Sequence, residues 1–286
     1  MLLTLFSVIA ASVNSTLLHK TQPYAKQEVY RFNLYCAVIW CAMLLLFNGG
    51  FPELNQDVMF WGSIYGIAQV LFLLFKTKAM AAGPVSVTTL IGNCSLLLST
   101  AVSVMVWKEP LGTGKAVGIL LLLFAVFICT YSGSKGNATK RWKAYSIGYF
   151  VFSASVGIVF KFFSHSGIGD QANGMMLLAS MVMILLLSGL SGMDRVQHGR
   201  SGSMSLSMGK ISPGLVFSCG ILSCFYNRLN VYLSGALPGT IFFPVFNGGT
   251  VIVSFALGKL VLNEKINQRQ VLGLVLGIAA ILVIGL

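Results

Sequence analysis

Charge is what this sequence has least of. Only 9% of its 286 residues are Asp, Glu, Lys or Arg, where a soluble domain carries about a quarter. Acids are the scarcest. Glu28, Glu53, Asp57, Glu109, Asp170, Asp194 and Glu264 are all of them, and each falls at an end of an apolar run or between runs. With 56% of residues hydrophobic, a water-soluble globule is excluded, because even a compact fold leaves much of its chain exposed. Lipid is the solvent that fits. Metal and redox chemistry are equally short of material. The three histidines, His19, His165 and His198, lie in connections and supply no haem or metal pair within a membrane. The six cysteines fall inside apolar runs, without CxxC spacing, and read as small packing residues rather than disulfides or a zinc site. No two aspartates sit in facing runs, and no mid-membrane histidine could act as base for a serine nucleophile. No enzyme, no catalytic residue, no metal and no cofactor is expected.

Long apolar runs make up the rest. They cover residues 2–18, 30–48, 58–79, 84–106, 115–132, 146–163, 174–192, 213–234, 239–262 and 270–286. A membrane-crossing helix needs about 20 mainly apolar residues. The runs are continuous rather than alternating with period two, which favours helices over a barrel. The expected fold is an all-α membrane protein with ten transmembrane helices. The first run lacks a charged segment before it and reads as a span rather than a signal peptide. Lys76, Lys78, Gly83 and Pro84 mark a short turn between the third and fourth runs.

The net charge of +12 invites a nucleic-acid reading, but its distribution answers differently. Connections after odd-numbered runs hold Lys20, Lys26, Arg31, Lys76, Lys78, Lys135, Lys140, Arg141, Lys143, Arg195, Arg200, Lys210, Lys259, Lys265 and Arg269. The other side holds Lys108, Lys115, Lys161 and Arg228. The positive-inside rule places the first set in the cytoplasm and both termini outside a cytoplasmic membrane crossed many times. The partners expected are a lipid bilayer and a small-molecule substrate, with no nucleic acid.

The chain also repeats itself. Displaced by 155 residues, Ser99–Ala125 aligns without a gap on Ser254–Ala280, with Glu109 on Glu264 and Gly118 on Gly273. Two five-helix repeats follow, 1–135 and 141–286, forming one integral membrane domain. Five is odd, so the second enters the membrane upside down, as in inverted-repeat transporters with a midplane site between halves.

The segments VWKEPLGTGKAVGILLLL (106–123) and VLNEKINQRQVLGLVLG (261–277) resemble the ends of the two halves of EamA-type proteins, of the drug/metabolite transporter superfamily. AMAAGPVSVTTL (79–90) and SGALPGTIFFPVF (234–246) resemble the junction between third and fourth helices of each half. The resemblance implies a ten-helix bundle. Spans one, three, four, six, eight and nine would surround a central cavity, with spans five and ten outside. It implies no substrate, because the superfamily moves amino acids, nucleotide sugars, drugs and lipids. The related small multidrug resistance proteins carry a glutamate in the first helix, where this chain offers Asn14 and no carboxylate. That departure weighs against proton antiport through an embedded acid and against lipophilic cations.

Candidate site residues follow from polarity inside the runs. Pro244, Asn247, Gly248 and Gly249 interrupt the ninth run, and backbone freed there could meet a polar ligand. The symmetric counterpart is 89–94, with Thr89 and Asn93. Asn14, Gln69 and Asn227 are further substrate-binding candidates, and Asn230 a further buried amide, with hydrogen bonds between helices as the alternative use. Arg228 in the eighth run would grip a carboxylate or phosphate if it faced the cavity, and would otherwise snorkel to the interface, as would Lys161. Glu109 and Glu264 read as structural carboxylates at helix starts. The spacings Gly62–Gly66, Gly114–Gly118 and Gly273–Gly277 fit close packing within the chain, or a homodimer contact. The function expected is secondary transport of a small polar metabolite, an amino acid or organic anion, exported or exchanged by alternating access. Efflux of drugs or lipophilic compounds is the alternative within transport; a non-transporting scaffold or receptor is the alternative outside it.

Overall fold

The computed structural model describes residues 2–48, 50–52, 54–82, 88, 91–130, 139–197, 212–262 and 268–285. Among these residues the protein is all helical. The helices are α1 (Leu2–Asn48), α2 (Gln56–Ala82), α3 (Ser95–Trp107), α4 (Thr113–Thr130), α5 (Lys140–Ser164), α6 (Ala172–Gln197), α7 (Pro213–Ala236), α8 (Gly239–Leu262) and α9 (Gln268–Gly285). A 3-10 turn, Gly169–Gln171, leads into α6. Local sequence starts several of them. Asn55 accepts the Val58 N–H at the start of α2 at 2.9 Å, Thr139 accepts that of Trp142 at the start of α5 at 3.1 Å, and Pro213 opens α7. Each feature suits an end where backbone N–H groups lack helical partners.

Helical hydrogen bonding runs without interruption from Leu2 to Asn48, where the sequence reading places two runs and a connection. As a straight rod this helix would be about 70 Å long. Its contacts exclude a rod. Ser7 meets Asn230 and Asn14 meets Ser223, so the first limb runs antiparallel to α7. Cys36 meets Val216 and Ile39 packs on Gly220, so the second limb runs parallel to it. The chain reverses between Leu17 and Val29 while staying helical.

The same reasoning orders the remaining helices. Gly62 packs on Met175 and Gly66 on Ala179, so α2 and α6 are parallel. Trp61 stacks on Phe162 and Phe72 meets Tyr149, so α2 and α5 are antiparallel. Ser95 meets Ser153 while Trp107 meets Phe162, making α3 and α5 parallel. Ser164 at the end of α5 bonds Val231 and Ser234 near the end of α7. Gly118 meets Ile284 and Gly277 meets Ala125, so α4 and α9 are antiparallel. The rods alternate up and down.

The outside of this bundle is as apolar as its inside. Leu5, Phe60, Leu120, Phe124, Leu185, Val275 and Leu282 are all exposed, a surface suited to lipid rather than water. Among the described residues, four stretches are long and apolar enough to cross a membrane: Val29–Asn48, Gln56–Ala82, Lys140–Ser164 and Gly169–Met193. Leu2–Leu17, Ile91–Trp107, Thr113–Ile128, Gly239–Ser254 and Val271–Ile284 are apolar but shorter. The seventh helix, Pro213–Ala236, has the length, but Asn227, Arg228 and Asn230 dilute its hydropathy. Of the ten spans expected from the sequence, four meet the full measure of length and composition among the described residues. Lys76 and Lys78 also differ from expectation: they lie inside α2, which continues to Ala82.

One glycine pair, Gly62 and Gly66, explains the close approach of α2 to α6. A Cβ at Gly66 would sit 2.8 Å from the Ala179 carbonyl oxygen, and one at Gly62 2.8 Å from that of Met175. Replacing Gly66 by Ala should therefore cost about 1–3 kcal/mol through overpacking, seen as a lower unfolding midpoint in detergent. Gly114→Ala is the control, since nothing lies within 4 Å of its added carbon; equal midpoints for the two variants would refute this packing role.

Candidate functional site: a polar cavity beneath a buried ion pair

Helices α2, α3, α5, α7 and α8 line a partly open cavity of about 170 Å³. Its aromatic lining comes from Phe72, Phe160, Tyr226, Phe242, Phe243 and Phe246. Its polar lining comes from Gln69, Ser99, Ser153, Asn227, Asn230 and Asn247. Among the described residues, none in the lining is charged. Helices α4 and α9 contribute nothing to it; they pack on each other at the edge of the bundle.

A directional chain of hydrogen bonds fixes the amides. Asn227 donates to the Ser223 carbonyl at 2.8 Å, so its Oδ1 is left to accept the Tyr65 hydroxyl at 3.1 Å. The Tyr65 oxygen then accepts from Gln69 Nε2, and Gln69 itself lines the cavity. Asn14 extends the network from α1 by donating to Ser223 Oγ at 3.3 Å. Asn247 donates to the Phe243 carbonyl at 3.0 Å, and Ser7 donates to Asn230 Oδ1 at 2.7 Å.

Gln69, Asn227 and Asn247 thus line the cavity, as does Asn230. The other candidates do not. Asn14 is buried one step behind it, in the network. The Asn93 amide nitrogen is buried without a partner and away from the lining. Arg228 is exposed on the outer face of α7, which removes the grip on a carboxylate expected of it. Pro244 is buried off the cavity, and α8 stays helical through Pro244, Asn247, Gly248 and Gly249. The expected break is absent because these glycines serve packing: a Cβ at Gly248 would sit 2.4 Å from Leu122. In the symmetric segment a helical interruption does occur, at Cys94. Thr89 and Glu264 lie outside the described residues.

The feature that the sequence reading missed is Lys161. Expected at the interface, it is 1% exposed and forms an ion pair with Glu109. Its ammonium also lies 5.2 Å from the Trp107 ring centroid and 3.5 Å from the Leu237 carbonyl oxygen. Lys108 closes α3 in the left-handed region, with φ 51°, and Glu109 and Pro110 follow it. The helix after them begins only at Thr113. Glu109 therefore caps a different helix from the one expected. Its second carboxylate oxygen accepts the Thr240 N–H at 3.0 Å, at the start of α8. There the unpaired backbone donors and the helix dipole favour an anion. Burial alone would raise the pKa of Glu109. The Lys161 hydrogen bond, the Gly239 and Thr240 N–H groups and the Lys161 charge outweigh burial and hold it below its ordinary 4.5. One carboxylate thus ties the connection after α3 to both α5 and α8.

No family model matches the sequence, and no curated protein matches it. Among solved structures, a crystal structure of a protein 12% identical in sequence matches with a TM-score of 0.73, over 100% of this chain and 97% of that one. The likeness establishes that a bundle of this overall shape exists in an experimental structure.

The pair makes two predictions for the purified protein. Glu109→Gln leaves the Lys161 ammonium buried and unpaired, and should cost on the order of 3 kcal/mol. Glu109→Gln with Lys161→Met should recover much of that loss, since both charges are then gone. A double variant no more stable than the single one would show that the pair is not the cause. The pH dependence has a fixed sign. A carboxyl with a lowered folded pKa stabilises above its unfolded value and loses this as pH falls through the folded one. Thermal stability should thus hold from neutral pH down to about 4.5 and decline below it, and the decline should be smaller in the double variant.

Proposed function

We propose that this protein is a ten-span membrane transporter similar to EamA-type members of the drug/metabolite transporter superfamily. It moves a small polar solute across the cytoplasmic membrane by alternating access. The observation that carries this reading is the cavity, lined by helices from both halves of the chain and capped at one end by a contact between those halves. Helix directions support it. The limb Leu2–Leu17 opposes α5, the limb Val29–Asn48 opposes α6, α2 opposes α7 and α4 opposes α9, which is what two inverted five-helix repeats, 1–135 and 141–286, require. With the basic connections in the cytoplasm and both termini outside, the Glu109–Lys161 contact closes the outer end.

The aromatic lining favours a second reading, efflux of lipophilic compounds, because five phenylalanines offer a large apolar contact. The amides weigh against it, since a purely apolar ligand would leave their free polar atoms dry and unpaired.

Alternating access has a direct test. In a variant whose cysteines are replaced, Asn247→Cys should react with a membrane-impermeant thiol reagent from the cytoplasmic side. Adding Lys161→Met should open it to reagent from outside. Accessibility that is the same in both backgrounds and insensitive to any solute would leave a non-transporting scaffold as the better account.

A further inference from the structure

We infer that the cavity selects an uncharged, planar, N–H-bearing heterocycle, a cyclic ureide or lactam of which uracil is the simplest probe. This narrows the solute class of the transport reading and rests on the same cavity.

Charge is the first discriminator. The lining holds neither acid nor base, so a zwitterion or a carboxylate would enter a low-dielectric site without counter-charge, at a high desolvation cost. Arg228, the one cation in α7, faces away. Organic cations meet the same cost, because no carboxylate is in the lining to receive them. Lys76, one helical turn beyond Phe72, has its ammonium 5.6 Å from that ring's centroid but is not itself in the lining.

Hydrogen-bond polarity is the second discriminator. Gln69 gives one N–H to the Tyr65 oxygen and Asn247 one to the Phe243 carbonyl, so each keeps its carboxamide oxygen and a second N–H for a ligand. The two oxygens can only accept, so a ligand that pairs with them must bring donors. Asn230 adds the donors of its Nδ2, because Ser7 donates to its oxygen. Acceptors and donors side by side fit a ring that carries N–H groups next to carbonyls. An acceptor-only carboxylate would pair with the N–H groups and leave both oxygens without a donor.

Shape is the third. Phe242 and Phe246, both in the lining, stack with 13° between their ring planes and centroids 5.8 Å apart, an arrangement suited to a flat solute. A cavity of about 170 Å³ holds one ring with its substituents; one of about 150 Å³ accepts benzene.

The experiment is titration calorimetry of the full chain in detergent with uracil, benzoate, phenylalanine and tetraphenylphosphonium. Uracil alone should bind. Asn247→Leu and Gln69→Met should each weaken it at least tenfold while leaving the protein monodisperse and cooperatively unfolding. Asn247 stands apart from the Tyr65 network, so its variant reports on the ligand even if Gln69→Met disturbs packing. Binding of benzoate or phenylalanine in place of uracil overturns the inference, as does no binding at all, or uracil affinity unchanged in both variants. Solute counterflow in proteoliposomes separates this from the transport reading. Movement of another solute class with no uracil binding leaves transport standing and sinks the heterocycle. Uracil bound at the cavity but never moved does the reverse.

Discussion

A polar group that has left water must find its partner inside the bundle, and most of the polar architecture here follows from that constraint. The α8 amino terminus arrives with unpaired N–H groups and no acidic residue in its first turn. Glu109, from the connection between α3 and α4, supplies the acceptor. A carboxylate so placed also needs a cation, and Lys161 of α5 provides it from a fully buried position. The lysine in turn is held by the Trp107 face and the Leu237 carbonyl. Three segments distant in sequence are joined by one carboxylate group, and a pair buried to this degree is weak as net stabilisation but costly to break from one side.

That asymmetry suits a gate. In the transport cycle proposed above the contact would open once per turnover, so its two states could not differ by much. If Glu109 and Lys161 separate into water, both charges recover hydration as their mutual attraction is lost, and the opposing terms nearly cancel. An apolar plug of the same size would offer no such compensation. Displaced by the repeat interval, Lys161 falls on Phe6, so the sequence gives the opposite end no matching lysine. On the transport reading proposed above, the two ends of the bundle would be closed by different chemistry.

Much of the architecture could be read from pattern, and the failures have physical causes. Apolar runs located the helices because hydropathy is a local property. The reversal within α1 keeps its helical bonding while the sequence marks it with Lys20, Lys26 and Glu28, so the connection was legible and its helicity was not. Pro244 and the pair Gly248–Gly249 looked like a break. Yet α8 runs through Pro244 without interruption, and a glycine pressed against Leu122 is a packing residue. Nothing local distinguishes glycine used for space from glycine used for flexibility. Of the site, Gln69, Asn227 and Asn247 were legible as rare amides in apolar surroundings. Arg228 was misplaced because the facing of a residue depends on how its helix is rotated. The Lys161–Glu109 pair joins residues 52 apart, and the only local hint was a lysine inside an otherwise apolar run.

The amide network shows why rotation matters more than composition. Asn227 and Arg228 are neighbours in α7, yet one is buried against Tyr65 and the other is exposed. Had α7 turned by a third of a revolution, the cavity would hold a guanidinium and favour anions. In the observed rotation, α7 sends Cys219, Gly220, Asn227 and Asn230 inward and leaves Phe225, Arg228 and Tyr232 facing out. Gly220 fixes that rotation, because a Cβ there would lie 2.7 Å from Ile39 on the second limb of α1. The packing that lets α1 and α7 approach therefore also determines that the cavity is neutral, and hence which solutes could enter it without losing more solvation than they regain.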